Sequence, residues 1–408
     1  MATENNISEQ NVSFTSLLDH FRPLADPRVN RTKDHPLLDI LVIAICSMLC
    51  GGEGFNDMEI FGKAKWAWLK TFLELPNGIP SHDTFNRVFA ALKPQHFLEC
   101  FVRWTQSLRK VISGEIVAID GKALRRAGKK GQSIKYIVNA WARDNGLVLG
   151  QLKVADKSNE ITAVPELLRA LELAGCIVTV DAMGCQKKIA KEIVEAEADY
   201  VLALKGNQET VHEEVKSYLD DAITRQAHQP PTRLAATDKL PELDYLETVE
   251  KDHGRIEVRR YWQSDRLDWF ADRPKWEKLA SLGVVESMRE VEGKVTIERR
   301  YFLSSLPRDV RRLAQAVRGH WGVENPLHWV LDVCFGEDQS RARTGFAAEN
   351  LAALRRLALN LLRVDKTKKC GIKGKRKWAG WDLSYLLQLL GMEPEQALPN
   401  SAHSNLNP

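Results

Sequence analysis

The sequence predicts a mixed α/β protein with a helical N-terminal region and a block of strands inserted late in the chain. Three observations lead to this fold class. Apolar residues recur at helical spacing from residue 14 to about 110. From about 115 to 205, short apolar strand-like runs come first and then alternate with helical patterns. From about 238 to 303, apolar and polar residues alternate as they do in strands, and helical patterns are absent.

The N-terminal region 14–110 is predicted to be helical and is a candidate DNA-binding domain. DHPLLDILVIAICSMLC places an apolar run after a proline, and DMEIFGKAKWAWLKTFL repeats large apolar residues three and four positions apart. In GIPSHDTFNRVFAAL, Ser81 is a predicted N-cap for another helix. These helices resemble a helix-turn-helix unit, although a packed helical subdomain that never touches DNA fits equally well. Residues 1–13 are polar and are predicted to be disordered.

The central region predicts the element order β-β-β-α-β-α-β. Three strand-like runs come first, EIVAIDGKAL, KYIVNAWARDNG and LVLGQLKVAD, with a tight turn at residues 144–146. The helix ITAVPELLRALELAG, the strand CIVTVDAMG, the helix QKKIAKEIVEAEA and the strand DYVLALKG follow. Three antiparallel strands followed by alternating helices and strands are typical of the RNase H-like fold, a mixed sheet flanked by helices. We expect this domain to span residues 111–365.

The block at about 238–303 is predicted to be an all-β insertion within that domain. Its strand-like segments are DYLETVEKDHGRIEVRRYW, LGVVESMREVEG and VTIERRYFLSS. The insertion would separate the last strand of the core from the helical segment that follows. Rows of arginines on these strands could contact DNA or face solvent: Arg255, Arg259, Arg260, Arg299 and Arg300.

Length and composition indicate a globular protein. A chain of 408 residues that is 44% hydrophobic can bury a large core and form about two or three domains. The most apolar run, Ile40 to Cys50, is shorter than the ~20 residues that span a bilayer, so we expect a soluble, intracellular protein without a membrane partner. Seven cysteines occur without a zinc-binding spacing, which predicts reduced, structural thiols. The motifs GxxxxGK[ST] and GxSxG are absent, which argues against a P-loop ATPase and a serine hydrolase.

Positive charge is concentrated near the C-terminal end. The net charge is only +4, but the segment from Arg299 to Trp378 holds 18 Lys and Arg against 7 Asp and Glu. Such an imbalance suits a polyanionic partner. The densest run, KTKKCGIKGKRKW, begins at Lys366, and residues 366–408 are expected to be a basic C-terminal tail. This run fits either contact with phosphates or a solvated tail.

Two aspartates are the first candidates for chemistry. Asp120 follows the apolar run IVAI in the first predicted strand, and Asp181 ends the run CIVTV in the fourth. A single Asp at a strand end also serves as a turn or capping residue. If the two strands are neighbours, however, the carboxylates approach closely and need a cation to offset their repulsion. Oxygen ligands of this kind favour Mg²⁺ or Mn²⁺, and Glu324 in HWGVENPLHW is the candidate third acid.

The motifs together resemble those of bacterial insertion-sequence DDE transposases of the ISAs-type group, which includes the H-repeat-associated proteins of Rhs elements. The resemblance runs from about Phe14 to Arg363 through AIDGKALRRA, VDAMGCQ, YVLALKGNQ, HGRIEVRRY, GHWGVENPLHWVLDVCFGEDQSRAR and AAENLAALRRLALNLLR. It implies an RNase H-like core, a divalent metal and a catalytic triad of Asp120 in AIDGK, Asp181 in VDAMG and Glu324 in HWGVEN. The 61 residues between the aspartates and the 143 residues between Asp181 and Glu324 fit this pattern when the β insertion occupies the second interval.

The resemblance also implies activity and partners. The protein would bind the terminal repeats of its element, use metal-activated water to free a 3′-hydroxyl, and direct that hydroxyl onto a target phosphodiester. Its partner would be double-stranded DNA, bound by a homodimer in the bacterial cytoplasm at the nucleoid. Candidate DNA contacts are Lys122, Arg125, Arg126, Lys205, Asn207, Arg318, His320, Asn325 and His328.

Several alternatives stay open in the sequence. Many related transposases have Tyr, Arg and Lys around the catalytic Glu, whereas this chain has Val317, His320 and Leu331, so a hairpin intermediate is not implied. Pro326 is expected to kink its helix or to restart it with Asn325 as N-cap. Other candidates for the third acid are Asp332, Glu337 and Asp338. An inactive DNA-binding descendant of a transposase and a metal-dependent nuclease without strand transfer are the alternative functions.

Overall fold

The computed structural model describes residues 14–29, 31, 33–110, 112–128, 135–154, 160–228, 242–252, 255–291 and 294–392. The predicted disordered N-terminus, 1–13, and the residues after 392 lie outside these ranges. None of the helices within them is long and apolar enough to cross a membrane. The seven cysteines are free thiols, and five of them are buried.

The N-terminal region consists of six helices. They are α1 (Phe14–Phe21), α2 (Leu37–Leu49), α3 (Phe55–Ala64), α4 (Trp66–Leu69), α5 (His82–Ala91) and α6 (Pro94–Leu108). Ser81 caps α5 as predicted, because its hydroxyl accepts a hydrogen bond from the backbone N–H of Thr84 at 3.3 Å. Pro94 occupies the first turn of α6, where its missing N–H leaves no hydrogen bond unmade. The helix α2 is apolar on nearly all sides and is buried, so it forms the centre of this region.

A nine-stranded mixed sheet forms the middle of the molecule. Its first five strands are β1 (Ile116–Leu124), β2 (Lys135–Ala142), β3 (Leu147–Val154), β4 (Ile177–Val180) and β5 (Asp199–Leu204). Two helices alternate with the later strands, α7 (Glu160–Arg169) before β4 and α8 (Lys187–Glu195) before β5. The predicted element order is therefore confirmed. The pairing β1–β4 is parallel, which confirms that the strands bearing the two aspartates are neighbours.

The later strands continue this sheet. A 20-residue helix, α9 (Glu209–His228), leads to β6 (Asp244–Asp252), β7 (Arg255–Ser264), β8 (Ser281–Val291) and β9 (Lys294–Ser304). The spatial order of strands is β3-β2-β1-β4-β5-β9-β8-β7-β6. Because β9 pairs antiparallel with β5, these four strands widen the central sheet and do not form a sheet of their own. The alternation of apolar and polar residues predicted the strands but not this pairing.

The remaining α-helices follow β9. They are α10 (Val310–Trp321), α11 (Val330–Phe335), α12 (Ala347–Val364), α13 (Ile372–Trp381) and α14 (Leu383–Leu390). A π-helical turn, Glu324–Trp329, joins α10 to α11, with the N–H of His328 donating to the carbonyl of Val323 at 3.4 Å. The turn accommodates Pro326, which has no backbone N–H to donate and would break the hydrogen-bond pattern of a regular α-helix. Asn325 is consequently not an N-cap, and the expected restart at that residue is wrong.

Residues 366–392 are folded and not the expected basic tail. The helices α13 and α14 pack with α12 against the N-terminal helices in one apolar core that includes Ile43, Phe89, Leu354 and Leu386. This packing occurs because α14 is rich in leucine and buries one face. The N-terminal helices therefore share their core with the C-terminal helices. The DNA-binding role of residues 14–110 stays a prediction.

Candidate active site

Asp120 lies at the middle of β1, next to the centre of the sheet. Its partner in the register with β2 is Asn139, whose amide faces the Asp120 carbonyl oxygen at 3.5 Å. Burial raises the pKa of Asp120 above its ordinary value of 3.8, and the charge of Asp181 adds to this rise, while His328 and His320 oppose it. The site therefore disfavours the carboxylate unless positive charge is close to it.

Asp181 occupies the adjacent position on the neighbouring strand. The register Ile119↔Val180 places Asp120 and Asp181 one residue further along parallel strands, which lie ~4.8 Å apart. The Asp181 carboxylate also accepts a hydrogen bond from the N–H of Gly184 at 3.3 Å and caps a short 3₁₀ turn. The capping role considered from the sequence is therefore present. It does not prevent the closeness to Asp120, because that closeness comes from the strand pairing.

Glu324 reaches Asp120 through a histidine. His328 lies one turn after Glu324, and its Nδ1 is 3.0 Å from Glu324 Oε2 and 3.6 Å from Asp120 Oδ2. The Glu324 side chain is 72% exposed, whereas His328 is buried. The buried imidazole therefore lies between the exposed Glu324 carboxylate and the less exposed Asp120 carboxylate. This contact depends on the π-helical turn, because the turn carries both residues.

A second histidine also lies near the two aspartates. His320, near the end of α10, has its Nδ1 3.0 Å from Thr179 Oγ1 of β4. Burial lowers the pKa of His320, although Asp120 and Asp181 act in the opposite direction. Gly319 permits this approach, since a Cβ at that position would lie 2.8 Å from Ile116 of β1.

A cavity of about 380 Å³ opens beside Asp181. Polar and charged side chains at its wall include Lys205, Asn207, Arg300 and His320. Asn207 is fixed by a hydrogen bond from its Nδ2 to the carbonyl oxygen of Ala182 at 2.6 Å. Positive and amide groups next to an acid pair are the groups that contact a phosphodiester whose phosphate lies at the acids.

Lys122, one of the predicted phosphate contacts, forms ion pairs within the protein. Its side chain is buried, and its Nζ lies 2.7 Å from Asp332 Oδ1 and 3.4 Å from Asp338 Oδ1. Two carboxylates already neutralise this ammonium, so it joins β1 to the segment after α11. Asp332 and Asp338 are for the same reason poor alternatives for the third acid.

Glu337 is also committed to a partner. It is fully buried and accepts a hydrogen bond from Arg356 Nη1 at 2.6 Å. Burial acts to raise the pKa of Glu337, but the charges of Arg356 and Arg355 outweigh burial and hold it below the ordinary value of 4.5. Glu337 is thus an internal ion-pair partner, whereas Glu324 forms no ion pair with a Lys or Arg of the described ranges and lies beside His328.

The other predicted DNA contacts differ in their surroundings. Arg125 is exposed, with its Nε 3.2 Å from Asp338 Oδ2, and Arg126 is exposed. Arg318 pairs with Glu250 of β6 at 2.9 Å. Lys205 and Asn325 are exposed. Among the strand arginines, Arg259 is buried against Glu257 at 2.5 Å, so that residue is not a solvent-facing contact.

Arg356 is a residue that the sequence analysis missed. It is buried on α12 and donates from Nε to Asn139 Oδ1 at 2.6 Å. Asn139 is the cross-strand partner of Asp120, so Arg356 bonds to the direct neighbour of that acid. Arg363, further along α12, donates to the carbonyl oxygen of Pro326 in the π-helical turn. The signal for both residues was available: arginines embedded in the apolar run LAALRRLALNLLR must find partners inside the protein.

The donor groups fit a hard divalent cation in part. Asp120 and Asp181 provide carboxylate oxygens in a buried setting that favours added positive charge. Glu324 is exposed and contacts Asp120 only through His328. Within the described ranges, no three His, Cys, Asp or Glu side chains are already gathered closely enough to hold a metal ion. The structure therefore places two acids on neighbouring strands and a third acid on the π-helical turn beside them.

Comparisons with known proteins identify the family of this chain. The family model described as "Transposase DDE domain" matches residues 113–361, and the model "DDE_Tnp_1-associated" matches residues 18–105. The chain is 38% identical over 401 residues to "Putative transposase YncI" of Escherichia coli O157:H7, covering 97% of this chain and 99% of that protein. It is 37% identical over 388 residues to "H repeat-associated putative transposase YhhI" of Escherichia coli (strain K12), covering 93% and 98%.

A solved structure is similar at a lower level. It is titled "Cryo-EM structure of piggyBac transposase synaptic complex with hairpin DNA (SNHP)" and covers 95% of this chain and 82% of its own. The TM-score is 0.45 and the sequence identity is 12%, which are too low to support an argument. The family assignment is supported by the two family models and the curated relatives alone. The chain belongs to the DDE transposase family and is of the H-repeat type.

Proposed function

We propose that this transposase cuts DNA at the ends of its insertion sequence and transfers the freed ends to target DNA. The observation that carries the proposal is the position of Asp120 and Asp181 on neighbouring parallel strands, with Glu324 linked to Asp120 through His328. Two carboxylates this close repel each other unless a cation offsets their charge. We interpret the first five strands as an RNase H-like core and β6–β9 as its insertion, within a catalytic domain at 111–365.

In this proposal Asp120, Asp181 and Glu324 hold Mg²⁺ or Mn²⁺, consistent with the general metal dependence of DDE transposases. When bound, such ions activate the attacking oxygen and stabilise the leaving oxygen of a phosphodiester. The strand backbone fixes the two aspartates. His328 keeps the Glu324 carboxylate near Asp120 until substrate is present. Water first attacks the phosphodiester and frees a 3′-hydroxyl, which then attacks a target phosphodiester and releases a target 3′-hydroxyl.

The remaining groups around the acids would bind DNA. Lys205 and Asn207 border the cavity beside Asp181, and there they would contact phosphates of the strand that is cut. Other proposed contacts are Arg125, Arg126, Arg318, His320, Asn325 and His328. Residues 14–110 would add binding to the terminal repeats. Pairing of two DNA ends requires a homodimer on double-stranded DNA, in the bacterial cytoplasm at the nucleoid.

One substitution tests the assignment of the acids. Asp120→Asn keeps the shape of the side chain and removes its charge, so nicking of labelled end DNA with Mg²⁺ or Mn²⁺ should be lost while DNA binding survives. Asp144→Asn, in the exposed turn between β2 and β3, is the matched control and should cut like the wild type. If Asp120→Asn cuts as well as the wild type, the assignment is wrong.

Two other functions give different results in the same assay. A catalytically inactive, DNA-binding descendant is favoured by the exposed Glu324 and would bind ends without nicking them with either metal. A metal-dependent nuclease would nick the ends but leave no covalent joint between end DNA and target DNA. Recovery of such a joint supports transposition over both alternatives.

A further inference from the structure

The surface of α13 and the residues before it is basic and aromatic. Residues 366–381 contain no Asp or Glu. Their exposed side chains include four lysines and two tryptophans: Lys366, Lys369, Lys373, Lys377, Trp378 and Trp381. We call these six residues the α13 surface. The catalytic proposal above uses none of them.

Two buried cations hold this surface in place. Arg376 donates from Nη2 to the carbonyl oxygens of Met48 and Gly52, both at 2.8 Å, and also bonds to the carbonyl of Cys334. Lys375 donates to the carbonyl of Leu362 at 2.8 Å. Because the inward-facing cations are satisfied by the protein, α13 is a rigid support for the outward-facing lysines.

The charges on the α13 surface oppose its own helix. Lys373 and Lys377 are four residues apart and repel each other on the same helix face. Lys369 and Lys373 also lie near the N-terminus of α13, where the helix dipole disfavours positive charge. No salt bridge in the described part of the chain includes Lys369, Lys373 or Lys377. No carboxylate in the described residues offsets these three charges, so an external anion is the reasonable partner.

The neighbouring acids do not neutralise this charge. Asp365 accepts a hydrogen bond from Tyr385 at 2.9 Å and pairs with the buried Lys375 at 3.2 Å. Asp382 caps α14 by accepting from the N–H of Ser384 at 3.0 Å. Both carboxylates are therefore engaged within the protein, and neither forms an ion pair with an exposed lysine of the α13 surface.

The two tryptophans point to a nucleic acid among the polyanions. Trp381 is 79% exposed and Trp378 is 44% exposed, which is unusual for large apolar side chains. Lys377 Nζ lies 6.0 Å from the ring centre of Trp381, and Lys368 Nζ lies 4.2 Å from that of Trp378. Alternating cations and aromatic rings match the alternation of phosphates with sugars and bases in DNA.

The α13 surface also lies within reach of DNA bound at the acids. Arg376 contacts Cys334, which is ten residues beyond Glu324 along the π-helical turn and α11. Ten helical residues span about 15 Å, less than the ~34 Å of one turn of duplex DNA. A duplex with one phosphate at Glu324 is therefore long enough to extend over α13.

We propose that the α13 surface is a second contact for duplex DNA, one that binds the phosphate backbone next to the site of cleavage. This inference rests on the proposed function, because it takes DNA as the substrate. Lys369, Lys373 and Lys377 bind phosphates, and Trp381 packs against the sugars or an exposed base. The binding is independent of base sequence, since phosphates carry no sequence information.

The experiment compares two triple variants of the full-length protein. Lys369→Ala/Lys373→Ala/Lys377→Ala removes three charges from the α13 surface. Lys188→Ala/Lys191→Ala/Lys216→Ala removes the same charge from α8 and α9, where these lysines are also exposed. Fluorescence anisotropy measures the affinity for a random-sequence duplex over a series of salt concentrations without divalent ions. Thermal melting checks that both variants stay folded.

The expected result is a change in salt dependence for one variant only. Each lost phosphate contact lowers the slope of log K against log salt by ~0.9, so the α13 variant should lose up to ~2.7 in slope and bind more weakly. The α8 and α9 variant should keep the wild-type slope. If the wild type binds and nicks DNA but the α13 variant keeps its slope, this inference alone is wrong. If the wild type binds no duplex at all, the proposed function fails with it.

Discussion

Replacement of Arg356 by methionine should destabilise the protein strongly, because it leaves a carboxylate buried without its main partner. Arg356 and Glu337 have fully buried side chains, and Nη1 lies 2.6 Å from Oε1. Removal of one partner of a buried ion pair costs about 3 to 5 kcal/mol in free energy of unfolding. Lys122 Nζ is 3.9 Å from the other Glu337 oxygen and would offset part of this loss. We therefore expect the lower end, about 3 kcal/mol.

This loss converts into a measurable melting shift. A chain of 408 residues has an unfolding entropy of about 0.9 kcal/mol/K if it unfolds in one step, so the Tm of Arg356→Met should fall by about 3 to 4 °C. Differential scanning calorimetry measures the shift. The double variant Arg356→Met/Glu337→Gln should recover much of it, because the buried charge is then removed together with its partner.

An exposed ion pair of similar length is the control. Arg169 Nη1 lies 2.7 Å from Glu192 Oε1, but the Arg169 side chain is 59% exposed. Arg169→Met should therefore lower stability by less than about 1 kcal/mol. Equal melting shifts for Arg356→Met and Arg169→Met would show that burial does not set the strength of these pairs. No recovery in the double variant would show that the loss comes from packing and not from an unpaired charge.

Two further predictions concern stability. Because the pKa of folded Glu337 lies below its ordinary 4.5, its ionised form stabilises the protein above that pH and the contribution is lost as pH falls through the folded pKa. The difference in unfolding free energy between wild type and Arg356→Met, measured by urea unfolding, should thus be largest near neutral pH and should narrow as pH falls toward and below 4.5; a difference that widens as pH falls would contradict it. Gly345→Ala should lower Tm by more than Gly371→Ala, since Gly345 has φ +49° and its Cβ would lie 2.4 Å from the Ala90 carbonyl oxygen, whereas nothing lies near Gly371; equal Tm values would refute the clash.

The fold was predictable from the sequence where local patterns determine it. Apolar runs of strand length predicted β1 to β5 in the correct order, because a buried strand is composed mainly of apolar residues and is therefore visible in the local sequence. The pairing of β9 with β5 was not predictable, since it joins segments 100 residues apart, such as Leu202 and Leu303, and alternation carries no record of the partner strand. The same limit hid the folding of α13, because a basic composition does not reveal that Arg376 points inward.

In the candidate site, the closeness of Asp120 and Asp181 was predictable from the sequence, but the partners of the cations were not. Asp120 and Asp181 follow apolar runs of neighbouring strands, so their closeness could be inferred from the element order. The sequence predicts Lys122 as a phosphate contact because it follows Asp120. Lys122 lies two residues after Asp120 on β1, however, and its contacts depend on which segment packs against that face of the strand. Here it meets Asp332 and Asp338, which lie more than 200 residues away in sequence. A charge seen in a sequence does not reveal its partner.

Much of the long interval between Asp181 and Glu324 consists of the strands β6 to β9, which extend the sheet beyond β5. The strands β6 to β9 widen the sheet, but β9 returns the chain to the edge of β5 at the pairs Val201↔Ser304 and Leu204↔Tyr301. Leu313 and Val317 of α10 then pack against β4 and β5. As a result His320, near the end of α10, lies close to the two aspartates. The length of the inserted strands can therefore change without moving Glu324, provided that the β5–β9 register is kept. A slip of one residue in that register would turn Phe302 to the opposite face of the sheet and remove the apolar surface on which α10 rests. The position of Glu324 thus depends on the register of the β5–β9 pair more than on the number of residues between Asp181 and Glu324.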